Sequence, residues 1–179
     1  MQKELFINPF IYLAGTKALL IGIGITLLLS LTSYYSGTHY SSLLKVSFAK
    51  DMDFQYFLAE HILYLVIGGS TLLMMGLIFS KSKIRIEDVY GTLAIARTPL
   101  LILPAIRFIP VFASMAANSI YLDILFWIHL FVVGWAVVLM FNAYKVSCNV
   151  KGVTVYASFI ASLVFSEILV TNIIKTIIP

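Results

Sequence analysis

Charge is scarce in this chain. Of its 179 residues only 11% are charged, 8 Asp and Glu against 12 Lys and Arg. A soluble domain carries about 25% charged residues, so the composition argues against a water-soluble fold. Cysteine is nearly missing as well. The single Cys148 allows no intrachain disulfide, and it reads as a bland small residue on a cytoplasmic loop. Catalytic signatures are also lacking. Glu60 and His61 do not belong to an HExxH run, and there is no GxSxG, CxxC or phosphate loop. No serine has a base placed beside it by a motif. The expectation is a non-enzymatic protein with no cofactor and no metal. The net charge of +4 does not point to nucleic acid, because the basic residues sit in short segments beside apolar runs, where they orient a membrane protein.

What the chain has is apolar length. It is 61% hydrophobic, with a mean hydropathy of +1.01. A spanning helix needs about 20 predominantly apolar residues. Five such runs, near 18–35, 56–79, 92–113, 122–142 and 153–174, use most of the length. The fold class is therefore all-α: one transmembrane domain over 1–179, a polytopic bundle of five helices. Lys17 before an apolar run resembles the start of a signal peptide. Thr32, Ser33, Tyr34 and Tyr35 follow it instead of a small-x-small cleavage site, so the run reads as a retained first span.

The connections are short. Asn8 and Pro9 suit a helix start. Residues 36–55 are a polar connection that alternates weakly, as extended chain does, with Asp51 and Asp53 as candidate caps. Residues 80–91 read as a charged loop, 114–121 as an uncharged loop containing Asn118, and 144–152 as a basic loop. One set of connections holds Lys3, Lys17, Lys81, Lys83, Arg85, Lys145 and Lys151; the other holds Lys45, Lys50 and Lys175. The first set should be cytoplasmic, with the N-terminus inside and the C-terminus outside. Small residues recur every four positions at Ala18, Gly22, Thr26 and Ser30, and again at Thr154, Ser158, Ser162 and Ser166. Such faces suit close helix contact, within the chain or with a protein partner or second copy.

The third run, TLAIARTPLLILPAIRFIPVFA, carries Arg97 and Arg107 together with Pro99, Pro104 and Pro110. A charge at membrane depth needs a partner or water. A proline frees a helical carbonyl that something must re-satisfy. The prolines either bend the helix round its neighbours or break it at a cavity, as in transporter midplanes; with no inverted repeat visible, the bend is preferred. At about 1.5 Å per residue, Arg107 and Glu167 fall at nearly equal depth, and Glu60, His61 and His129 fall in the same half. These five predict one polar pocket open to the outside, with an Arg107–Glu167 pair in it. Arg97 lies nearer the inner surface, within snorkelling reach. Three readings of the cluster stay open: a structural ion pair, which weighs most, a solute or proton pathway, and a metal site.

The stretch SKSKIRIEDVYGTLAIARTP, residues 80–99, resembles the Yip family, the Ypt/Rab-interacting-protein type of integral membrane domain, in its compact bacterial form. The resemblance rests on Asp88, Val89, Tyr90 and Gly91 followed by Ala94, Ala96, Arg97 and Pro99. It is similar to the family's aspartate-leucine-tyrosine-glycine-proline signature, with Val89 in place of leucine and Thr92 in place of proline. The five-span layout with the N-terminus inside agrees. The resemblance implies a multi-pass protein of the bacterial cytoplasmic membrane, concerned with membrane organisation or trafficking as a scaffold or adaptor. It supplies no substrate. A small transporter or ion-pathway protein using the polar pocket is the alternative.

Overall fold

The structure is a computed structural model that describes residues 9–48, 52–113 and 119–177. After a 3-10 turn at Pro9–Ile11, the elements are α1 (Gly15–Ser36), β1 (Thr38–Tyr40), β2 (Val46–Phe48), α2 (Phe54–Phe79), α3 (Ile86–Ala96), a 3-10 turn at Thr98–Leu101, α4 (Ile102–Arg107), α5 (Pro110–Ala113), α6 (Ser119–Cys148) and α7 (Thr154–Ile177). Five helical stretches are long and apolar enough to cross a membrane: Gly15–Ser36, Phe54–Phe79, Ile86–Arg107, Asp123–Cys148 and Thr154–Ile177. Each is long and predominantly apolar. Large side chains such as Leu20, Leu77, Phe131 and Ile160 point outward.

The third stretch forms the middle of the bundle. Its most apolar window is 67% buried, against 33% for each of the other four. It packs on α1, α2 and α6, while α7 covers α2 from the far side. The α1–α3 crossing is tight because both helices present glycine. A methyl group added to Gly91 would lie 2.6 Å from the Ala18 carbonyl carbon, and one added to Gly22 would lie 2.7 Å from Ala94 Cβ. Both small-residue stripes are engaged inside the chain. Ala18, Gly22, Thr26 and Ser30 are all buried; Ser158, Ser162 and Ser166 face inward too, with Ser162 Oγ donating to Thr71 Oγ1 at 3.0 Å. Thr154, the first of that stripe, is exposed.

Several expected boundaries move. The third span begins at Ile86 and not at 92, so half of the expected loop 80–91 is helix. Glu87 and Asp88 occupy its first turn, where acidic groups offset the helix dipole. Asp88 also accepts the N–H of Gly15, an otherwise unpaired donor in the first turn of α1. Pro9 opens only a single 3-10 turn, and α1 starts at Gly15. Asp53 stands at the N-cap of α2 without a side-chain capping bond. Asn8, Asp51 and Asn118 lie outside the described residues. Cys148 is not on a loop: it ends α6, fully buried, with its sulfur where a methyl on Gly76 would go.

The expected polar connection after α1 is a compact hairpin. Gly37, at φ 64°, ends α1 and turns the chain, its N–H directed at the Ser33 and Tyr34 carbonyls. β1 and β2 then pair antiparallel, with Thr38 opposite Phe48, His39 opposite Ser47 and Tyr40 opposite Val46. Thr38, His39, Tyr40, Ser42 and Leu43 are all buried. The hairpin therefore plugs one end of the bundle.

Candidate functional site

The six expected site residues do not form one pocket. Glu60, His61 and Arg97 belong to a sealed core, Arg107 and His129 line a cavity under the hairpin, and Glu167 holds the hairpin turn. Arg97 is the centre of the core. Counted from Ile86 it lies eleven residues into its helical stretch, about 16 Å in at helical rise. It is therefore near mid-depth and does not snorkel to the inner surface. It is 2% exposed. Nη1 donates to the His61 carbonyl at 3.0 Å, and Nη2 lies 2.9 Å from His61 Nδ1. Its guanidinium carbon stands 4.6 Å from the centre of the Tyr64 ring, a cation–π contact.

These contacts fix the state of His61. An arginine can only donate, so Nδ1 accepts and the ring proton sits on Nε2. That proton points to Ser33 Oγ at 3.1 Å. His61 is therefore a neutral bridge between Arg97 and α1. Ser33 continues the Ala18–Ser30 face by one further turn.

Glu60, the neighbouring residue, turns to the hairpin. His39 Nδ1 lies 2.8 Å from Oε1, and the Tyr40 N–H donates to Oε2 at 3.0 Å. The His39 ring stacks on Phe57 at 4.0 Å between centres. His39–Glu60 is the one side-chain salt bridge among the described residues. The Tyr40 hydroxyl donates to the Leu100 carbonyl at 2.8 Å. Burial raises the Tyr40 phenol pKa far above its ordinary value, against a smaller opposite pull from Arg97, so the hydroxyl keeps its proton and remains a donor. Two buried side-chain nitrogens, His39 Nε2 and Arg97 Nε, have no partner among the described residues.

All three prolines of the third run leave a carbonyl that finds another donor. Pro99 cannot bond Ile95 O, which accepts from Thr98 Oγ1 at 2.6 Å. Pro104 cannot bond Leu100 O, which takes the Tyr40 hydroxyl. Pro110 cannot bond Ile106 O, which takes the Ile109 N–H at 3.0 Å. The helix is broken into a 3-10 turn and short α-helices, yet each freed carbonyl named here is satisfied by protein.

Arg107 and Glu167 are not paired. The half-buried Glu167 accepts the backbone N–H groups of Leu43 at 3.1 Å and Leu44 at 3.4 Å, fastening the hairpin turn to α7. Its electrostatic neighbours include Arg97 and Tyr64. The depth expected from helical rise does not bring Glu167 to Arg107; the hairpin turn takes its carboxylate. Arg107 Nε instead donates to Ser36 O at 3.4 Å, and its guanidinium lies 4.4 Å from the Phe48 ring centre. His129 has left the Glu60–His61 group and directs Nε2 at Leu44 O, 3.3 Å away. Arg107 and His129 line a cavity with β2. No three His, Cys, Asp or Glu side chains among the described residues converge as a metal would need.

His39, Tyr40, Ser33 and Tyr64 are the members of the core that sequence reasoning missed. Their signal was weak: a period-2 alternation in a presumed loop, and a serine one turn past a small-residue stripe.

These features define a helical bundle suited to a multi-pass membrane protein, with a buried polar core closed by a hairpin. Comparison with protein families, curated proteins and solved structures finds no match for the chain.

Proposed function

We propose that this is a non-enzymatic, Yip-like multi-pass protein of the bacterial cytoplasmic membrane, acting as a scaffold or adaptor in membrane organisation, with its N-terminus inside and its C-terminus outside. One observation carries the scaffold reading: the ionisable groups at depth are tied into a closed core. Glu60, His61 and Arg97 are 1%, 0% and 2% exposed, and their partners come from α1, α2 and the hairpin. Buried polar groups held in this way fix one arrangement of helices. A transport path would need such groups to face water. The small-residue faces, open to contact within the chain or with a partner, are filled from within the chain except at Thr154, which favours partner contact on the other faces of the bundle.

Reconstitution in liposomes tests the reading. The expected outcome is no flux of protons, alkali cations, halides or small organic anions above protein-free vesicles. Flux abolished by Glu60→Gln in a variant that still folds would establish the pathway alternative.

A further inference from the structure

The cavity under the hairpin has a chemistry that the sealed core does not explain. Its volume is about 340 Å³, within the ~300–1,000 Å³ range of small-molecule sites. Leu103, Leu125 and Phe126 give it an apolar wall, and Lys45 and Arg107 bring two cations. Arg107 is only 7% exposed. Its Nε bonds Ser36 O, but its two terminal nitrogens meet no acceptor among the described residues. None of the described residues lining the cavity is acidic. Glu167, which holds the same hairpin, is engaged by backbone N–H groups. With no acidic side chain among the described lining residues, the guanidinium can take an anion from the cavity side. Its free fork matches a carboxylate or phosphate. Phe126 is 59% exposed, so the cavity wall reaches the apolar outer surface of the bundle.

We propose that this cavity binds an anionic amphiphile. The oxyanion headgroup sits on the Arg107 fork with Lys45 beside it, and the tail runs along Leu103, Leu125 and Phe126 toward the lipid. A membrane offers two sources of this chemistry, an anionic phospholipid and a free fatty acid. The site does not depend on the scaffold reading: occupancy and flux are separate measurements.

The test is equilibrium binding to the purified full chain in micelles, using radiolabelled oleate, radiolabelled phosphatidylglycerol and, as a zwitterionic control, phosphatidylcholine. At least one anionic probe should bind saturably, about tenfold or more tighter than phosphatidylcholine, the scale of one bidentate charge pair. The preferred probe identifies the source. Arg107→Gln should remove that preference, and Arg107→Lys, which keeps the charge but loses the fork, should keep only part of it. Leu125→Trp, which fills the cavity and leaves the cation, should weaken binding of the preferred probe. Melting without probe establishes that each variant folds; if Arg107→Gln does not fold, Leu125→Trp decides. No saturable binding by either anionic probe, equal binding of phosphatidylcholine, or anion binding untouched in a folded Arg107→Gln or Leu125→Trp would overturn the site.

Discussion

Glu60 joins two parts of the chain that sequence order keeps apart. Its two oxygens take the His39 ring and the Tyr40 N–H, so one side chain locks the hairpin over α2. Glu60→Ala would leave both donors buried without an acceptor. Breaking one side of a buried pair costs about 3–5 kcal/mol. Glu60→Gln should cost less, because the amide oxygen still accepts one of the two N–H groups. Unfolding midpoints in detergent, compared for both variants, check this. Equal losses, or no loss in Glu60→Ala, would show that the hairpin is held by something else. That Glu60 and His61 need internal partners was legible in the sequence, because charge in an apolar run has few alternatives; Arg97 was expected to snorkel and is instead buried. Who the partners are was not legible. His39 sits in a stretch that reads as loop, and its burial depends on a hairpin whose only local trace is weak alternation. Depth arithmetic ranked Arg107 and Glu167 by level, but level says nothing about which chain segment stands between them.

At the scale of elements, the third span shows how a helix with three prolines holds together. Its start was misread because Glu87 and Asp88 look like loop residues; in the structure they stabilise the beginning of α3 and the first turn of α1. The prolines were expected to bend the helix rather than break it, but it is interrupted at Thr98–Leu101, with each carbonyl freed by a proline satisfied nearby and not turned to a cavity. One of those donors is distant in sequence, the Tyr40 hydroxyl on Leu100 O. Tyr40→Phe should therefore destabilise by about 1–3 kcal/mol, the penalty for a buried carbonyl left unpaired. In a Pro104→Ala background the restored N–H can serve Leu100 O in its place. The same Tyr40→Phe change should then cost less, and a double-mutant cycle on unfolding free energy reads the difference. Strictly additive losses would mean that the tyrosine and the proline do not share that carbonyl.

Across the whole molecule the two ends differ in charge and in closure. Contacts between Gly15 and Asp88, Ser82 and Asn149, and Gly76 and Cys148 gather one end. Lys17, Lys81, Lys83, Arg85, Lys145 and Lys151 belong to that end, whereas the opposite end has Lys45 of the hairpin and Lys175 near the end of α7. Five long apolar helices and this asymmetry are properties of composition and order, which is why they could be read without coordinates. The plug could not, since it depends on tertiary contacts of residues 38–48. Basic connections stay on the cytoplasmic side, so the Ser82 end should face the cytoplasm and the hairpin should face outward. Ser82 and Leu44 are both exposed, at opposite ends. In a Cys148→Ser background, Ser82→Cys should react with a membrane-impermeant thiol reagent only after the cells are opened. Leu44→Cys should react in intact spheroplasts. The native Cys148, fully buried, should stay unlabelled in the folded wild-type chain under both conditions, which controls for unfolding. Labelling of Ser82→Cys from outside would invert the orientation. It would also move the cavity at Arg107 to the cytoplasmic leaflet, and with it the pool of anionic amphiphile that the cavity could draw on.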